Sequence, residues 1–358
     1  MANIFDYVHW RGDLSFSKSK FNEIDNIIFT QVCYVDFACA FNNENINEQV
    51  ILKDAINQVF LKEKKEDIVL GLIVPYSIVE LIDRIKDSKR YSNIKVSNYV
   101  NIVDKSKVMQ FSAMCFHLSD NLIYIAFRGT DDNVIAWQED LDMVAKFPVP
   151  AQKQALKYLN NIASLYPECF LILGGHSKGG NLANYAAIYC EDKIKERIIK
   201  VYNNDGPGFV KEKVDQDKFL SIKDKLVRII PYSSIIGVTL DPFYGETKVV
   251  KANVRGIRQH DAFSWQIDAK NFVYEKELSE NAKKFDDALT NMLYKLSEKE
   301  RKEFSKDIYN FVIELNKNTL LEVQKDYIRF IRYMNKMTSK SKKLFVELIY
   351  NLIKCKLL

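Results

Sequence analysis

The chemistry in this sequence gathers in Gly175-His176-Ser177-Lys178-Gly179-Gly180, which follows the apolar run Phe170-Leu171-Ile172-Leu173-Gly174 and precedes a helical pattern from Asn181. A G-x-S-x-G between a strand and a helix describes a strained turn that lifts a serine hydroxyl above a sheet edge. Gly175 and Gly179 stand where side chains would strike the neighbouring strand and helix. Ser177 is the candidate nucleophile, set at the N-terminal end of a helix whose amides and dipole favour developing negative charge. A plain glycine turn is the alternative; the strand before, the helix after and the extra glycines favour the elbow.

A serine hydroxyl needs a base, and four histidines are present: His9, His117, His176 and His260. His176 sits inside the tight turn, where its side chain is expected to point away from the serine. His9 and His117 precede the elbow and read as surface or packed residues. His260, in Arg258-Gln259-His260-Asp261, follows the last expected strand and satisfies the chain order serine, acid, histidine. It is the candidate base.

The acid stays open between two positions. Asp205, in Asn203-Asn204-Asp205-Gly206-Pro207-Gly208, follows the strand after the elbow helix and is preferred; Asp241, in Leu240-Asp241-Pro242, is the second choice. An Asx turn would also account for Asp205. Asp261 adjoins His260 in sequence and is poorly placed to reach its Nδ1. Two amides must face the oxyanion. The N-H of Lys178 is one, its charged side chain having no role in this reading; the other comes from Phe127-Arg128-Gly129-Thr130-Asp131-Asp132, where Gly129 lets the chain turn and Thr130 offers its amide and hydroxyl. The lesser alternative is that Arg128 and Asp131 form only an ion-paired turn.

The elements that must carry these residues follow from periodicity. Lys107 to His117 and Leu122 to Phe127, separated by Ser119-Asp120-Asn121, predict a hairpin. Pro150 to Leu165 and Asn181 to Ile198 are helical, Cys169 to Leu173 is a short apolar strand, and further strands are expected from Lys200, at Val227 to Ile230 and at Thr247 to Lys251. Helices between short apolar strands predict a largely parallel sheet covered on both faces. Upstream, helices are expected at Asn47 to Lys62 and Tyr76 to Asp87, with a strand at Ile68 to Val74. From Ile257 to Leu358 there is no Gly or Pro, and apolar residues recur at helical spacing, which predicts helices and no sheet. The expected division is a domain over residues 1–270 and an all-helical extension over 271–358.

Phe127-Arg128-Gly129-Thr130 together with Gly175 to Gly180 resembles the class 3, fungal-type lipases of the α/β-hydrolase fold. Asn3-Ile4-Phe5-Asp6-Tyr7, Trp10-Arg11-Gly12-Asp13, Asp205-Gly206-Pro207-Gly208-Phe209 and Gln259-His260-Asp261 are more similar to a family of bacterial, mostly Firmicutes, lipase-like proteins, over residues 1 to about 268. The resemblance implies the fold and an acyl-transfer site without naming a substrate. Where class 3 lipases carry the acid, this chain reads Ile230-Pro231-Tyr232-Ser233-Ser234-Ile235-Ile236, with no carboxylate. Asp205 then has to replace it, as in pancreatic-type lipases.

The chain has 358 residues, 47% of them hydrophobic, with 52 Lys and Arg against 47 Asp and Glu. A net charge of +5 at this size does not describe a nucleic-acid binder. Residues 276–358 hold 18 basic and 12 acidic residues, so any attraction to anionic surfaces lies there. Six cysteines without CxxC spacing read as reduced thiols, and the N-terminus lacks a signal-peptide pattern, which together predict a cytoplasmic protein. No metal or dissociable cofactor is implied. The expected activity is a serine hydrolase cleaving carboxylic esters, plausible substrates being small-molecule, lipid or phospholipid acyl esters, the lipid part resting on the resemblance. The alternative is a non-catalytic binding protein of the same fold. Its tail, with Leu344, Phe345, Leu348, Ile349, Leu352 and Ile353 on one face of Ser341 to Leu358, would recruit a partner or touch a membrane peripherally; ordinary packing would explain the same stripe.

Overall fold

The structure, a computed structural model, describes residues 1–41, 48–68, 70, 74–131, 133–315 and 334–357. The described strands are β1 (Gln49–Ile51), β2 (Lys95–Asp104), β3 (Met109–Ser119), β4 (Leu122–Phe127), β5 (Phe170–His176), β6 (Ile198–Asn204), β7 (Leu226–Pro231), β8 (Glu246–Val250), β9 (Ile267–Asp268), β10 (Asn271–Phe272) and β11 (Tyr274–Glu275). One nine-stranded sheet has the order β1-β2-β3-β4-β5-β6-β7-β8-β11. Its middle, from β4 to β8, is parallel, and the flanking pairs are antiparallel.

The period of two along each strand sorts side chains to two faces. On β4, Tyr124 and Ala126 join Ile24, Ile27 and Ile28 of the helix Glu23–Val32. Ile123, Ile125 and Phe127 join Ala155, Leu159 and Ile162 of the helix Pro150–Leu165 and Leu182 and Ala186 of the elbow helix Lys178–Tyr189. Both faces are therefore covered, and the chain has an α/β architecture with a mixed, centrally parallel sheet between helices. β5, whose end carries the elbow, lies at the centre between β4 and β6.

Three expectations need revision. β2 was not foreseen, and the helix expected from Asn47 begins at Leu52 because Gln49–Ile51 pairs with β2 as an edge strand. The tail is not helical from Ile257: β9 to β11 precede the helices, and Tyr274 and Glu275 pair with Val250 and Val249. Backbone hydrogen bonding to an open sheet edge overrides a composition that is neutral between states. The strand expected at 68–74 falls largely outside the described residues.

Beyond Glu275 run the helices Glu280–Tyr294, Glu298–Leu315 and Ser339–Lys354. Met292, Leu293, Phe304, Ile308 and Phe311 pack on Met143, Val149 and Leu240, at the end of the sheet where β5 opens into the elbow. Leu344, Leu348 and Leu352 of the last helix also turn inward, so the stripe that could have recruited a partner is mostly used within the fold. Val346, Tyr350 and Ile353 stay exposed, at 56%, 60% and 61%. Among the described residues no helix is long and apolar enough to cross a membrane.

One buried ion pair fixes the elbow helix to the helix Val134–Asp142. The Lys178 ammonium, 1% exposed, lies 3.2 Å from Glu139 Oε2 and donates to Gln110 Oε1 at 2.7 Å and the Gln110 carbonyl at 3.1 Å. Glu139, fully buried, also accepts from the amides of Ala151 at 2.7 Å and Gln110 at 3.2 Å. The Lys178 side chain is thus a structural clamp, contrary to the expectation that it has no role. Removing one member of such a pair strands a charge in the interior, at a cost of about 3–5 kcal/mol. Lys178→Met should lose stability on that scale in urea unfolding, and Lys178→Met/Glu139→Gln should recover part of the loss. A single variant within about 0.5 kcal/mol of the parent would refute the clamp.

Candidate active site

The elbow is built by steric exclusion. A Cβ on Gly175 would lie 2.1 Å from the Gly179 carbonyl carbon, and one on Gly179 would lie 2.1 Å from the Phe127 carbonyl oxygen. Strand, helix and β4 can close on one another only with hydrogen at both positions. Ser177 itself is held at φ 56°, ψ −133°, a region that L-residues rarely occupy. Its amide is tied to the Asn204 carbonyl at 3.0 Å, and among the described residues its hydroxyl has no hydrogen-bond partner. The hydroxyl is free to turn toward a base.

His260 and Ser177 line one cavity of about 690 Å³. Behind His260, its Nδ1-H donates to Asp205 Oδ2 at 2.7 Å. Asp205 is fully buried at the end of β6, in the left-handed region at φ 50°, where aspartate is better tolerated than most residues. Its second oxygen accepts from the Ser234 hydroxyl and from the Gly237 amide at 3.1 Å. The loop after β7 that lacks a carboxylate instead supplies the donors that orient one. Asp241 is elsewhere: its carboxylate meets the Tyr294 hydroxyl and its backbone pairs with Phe209. Asp261 caps the short turn Ala262–Ser264 through the Phe263 amide. Of the three aspartates, only Asp205 hydrogen-bonds the His260 ring.

His176 packs beside His260. Its ring lies 4.6 Å from that of His260, centroid to centroid, and Nε2-H donates to the His260 carbonyl at 2.9 Å. A carbonyl can only accept, so Nε2 carries the proton and Nδ1 accepts from the Tyr34 hydroxyl at 3.3 Å. Burial, with the neighbouring His260 adding to it, pushes His176 down to about 3, so it stays neutral and holds this pattern. His117, bonded to Ser97, is likewise pushed down by burial to about 4, and His9 is exposed.

Thr130 and Lys178 line the same cavity. The Thr130 hydroxyl donates to Asp140, and among the described residues the Thr130 amide has no hydrogen-bond partner. Burial pushes the Asp140 carboxyl up to about 6, against the opposing pull of Lys178 and the Thr130 hydroxyl. Arg128 does pair with Asp131, at 3.0 Å, and donates to Asn101 as well, bracing the loop. The remaining wall is largely apolar, with Trp137, Leu141, Val144, Ile236, Leu240 and Ile257. Ser177, His260, Asp205, Thr130 and Lys178 are therefore brought together; Tyr34, Asp140, His176 and Ser234 join them without having been anticipated.

Residues 85–310, which carry the elbow, Asp205 and His260, match the Mbeg1-like family. The chain belongs to the Mbeg1-like family. Among solved structures it is similar to the Rhizomucor miehei lipase in its propeptide complex, at 17% identity over 48% of this chain and 59% of that one, with a TM-score of 0.34. It is also similar to the M37 lipase (15% identity, 62% of this chain and 70% of that one, TM-score 0.38) and to the Lip2 lipase of Yarrowia lipolytica (14%, 52% and 72%, TM-score 0.29). The match thus spans about three fifths of the Rhizomucor miehei chain. No curated protein matches the sequence.

His176→Phe keeps a ring beside His260 and leaves the His260 carbonyl and the Tyr34 hydroxyl unpaired, a loss of about 1–3 kcal/mol. Because the folded value, about 3, lies below the ordinary 6.5, the parent's contribution from His176 is complete above pH 6.5 and is lost as pH falls. Melting temperatures measured from pH 8 to pH 4 should therefore fall more steeply for the parent than for His176→Phe. Equal slopes would contradict the assignment.

Proposed function

We propose that this protein is a serine hydrolase that cleaves carboxylic esters through Ser177, His260 and Asp205. The observation that carries the reading is the 2.7 Å bond between His260 and a buried, doubly hydrogen-bonded Asp205, on the cavity that also holds an elbow serine. In the proposed reaction His260 Nε2 removes the Ser177 proton as Oγ attacks the ester carbonyl. The amides of Thr130 and Lys178 receive the oxyanion, and the elbow helix dipole acts in the same direction. His260 then returns the proton to the leaving alcohol, and water, activated by the same imidazole, releases the acid.

The imidazolium formed during attack is stabilised by Asp205, whose bond to Nδ1 leaves Nε2 as the nitrogen available to the serine. The apolar wall of Trp137, Leu141, Ile236 and Leu240 suits an acyl chain, which favours lipid or other acyl esters over charged small molecules. Six free cysteines, five of them buried, favour a reducing, cytosolic setting.

A fluorophosphonate probe should modify Ser177 alone. Ser177→Ala should abolish labelling and shift stability by no more than about 0.5 kcal/mol, since the hydroxyl is unpartnered. Unchanged labelling of Ser177→Ala, or an inert but folded parent protein, would reject the proposal.

A further inference from the structure

The last helix, Ser339–Lys354, does more than cover the tail. It ends in a closed turn: the Lys356 amide donates to the Ile353 carbonyl at 2.9 Å and the Leu357 amide to the Leu352 carbonyl at 3.0 Å. Lys356 takes the left-handed position, φ 53°, where glycine is usual, so contacts beyond the turn must hold it there. Those contacts are made by Cys355 and Leu357, 5% and 1% exposed, which pack with Ile235, Val238 and Phe285.

Ile235 and Val238 belong to the loop whose Ser234 and Gly237 hold Asp205. The Leu357 carbonyl also accepts from the Ile257 amide at 2.9 Å, three residues before His260. Gly256, at φ 60°, lies so close that a Cβ there would stand 2.4 Å from the Leu357 oxygen. The two loops are stitched together as well: Gln259 Oε1 accepts from the Ser233 amide at 2.8 Å, and Gln259 Nε2 donates to the Val254 carbonyl at 2.9 Å. One turn thus touches both the support of the acid and the support of the base.

We propose that Cys355–Leu357 is a positioning clasp that sets the His260–Asp205 hydrogen bond by fixing the 234–238 and 254–260 loops against each other. The proposal rests on the reading of Ser177, His260 and Asp205 as the reacting groups. Leu357 touches no substrate and acts through the loops. Its loss should therefore lower the rate of the chemical step more than substrate binding, because misplacing a base by a fraction of an ångström is costly in rate while the cavity wall survives.

The test compares Leu357→Ala with Leu344→Ala in the full chain. Leu344 is buried in the same helix but belongs to the cluster with Phe304 and Ile308 and not to the one that joins Leu357 to Ile235 and Val238, so it controls for general loosening of the tail. On an activated short-chain ester, Leu357→Ala should reduce kcat about tenfold with KM changed less than twofold, while Leu344→Ala keeps the parent kcat. In protein labelled with ¹⁵N-histidine, the downfield His260 Nδ1 proton should lose its protection from exchange in Leu357→Ala only. Equal kcat in the two variants, or a protected His260 proton in Leu357→Ala, would overturn the clasp. A parent protein with no esterase activity would instead reject the functional reading, and the proton signal would still decide the clasp.

Discussion

The hydrogen bond from His260 Nδ1 to Asp205 depends on four chain segments meeting within a few ångströms. Asp205 is delivered by the end of β6 in a left-handed conformation, Ser234 and Gly237 orient its second oxygen, and the loop ending at Asp261 brings the imidazole. The elbow adds the fourth through His176, which donates to the backbone of His260. A carboxylate removed from water in this way is tolerable because each oxygen has partners. The same donors fix its direction, and so that of the imidazole which, in the proposed reaction, faces Ser177.

Charge burial beside the elbow follows the same rule with another purpose. Lys178 and Glu139 are both withdrawn from solvent, and their hydrogen bonds join β3, the elbow helix, the helix Pro150–Leu165 and the helix Val134–Asp142. That last helix contributes Trp137, Asp140 and Leu141 to the cavity wall. The wall is held from outside by Phe304, Ile308 and Phe311 of the tail, packed on Met143. The tail is in this sense part of the site's framework, though it contributes none of the proposed reacting groups.

The elbow was legible in the sequence because its requirement is local: glycine on both sides of a serine reflects clashes between residues four apart and with the adjoining strand. The reading of His260 followed from chain order and that of Asp205 from its place one strand after the elbow helix, with the resemblance to class 3 lipases giving meaning to the missing carboxylate at Ser233-Ser234. The roles of His176 and Lys178 were not legible, since sequence fixes neither what lies opposite a turn nor which distant groups close on it; Tyr34 is 142 positions from His176, and Gln110 is 68 from Lys178. β2 hid behind a register shift between Ser97 and Val100 and a left-handed Asn98, which break the alternation that marks a strand. β9 to β11 are two residues each and depend on pairing, so no periodicity could show them. The stripe on the last helix was visible as amphipathic, but a stripe does not say whether its partner is a membrane, another protein or its own core.

The placement of the acid is the claim on which the catalytic reading turns, and the kcat of Asp205→Asn on an activated ester, with folding verified by circular dichroism, tests it most directly. Asparagine keeps the shape of the side chain and removes the charge that orients and stabilises the imidazolium, so kcat should fall by orders of magnitude, about 10⁴ by the precedent of serine proteases. Asp241→Asn, measured alongside, should stay near the parent value, since Asp241 meets Tyr294 and not His260. A folded Asp205→Asn variant with kcat within a few fold of the parent would contradict the account.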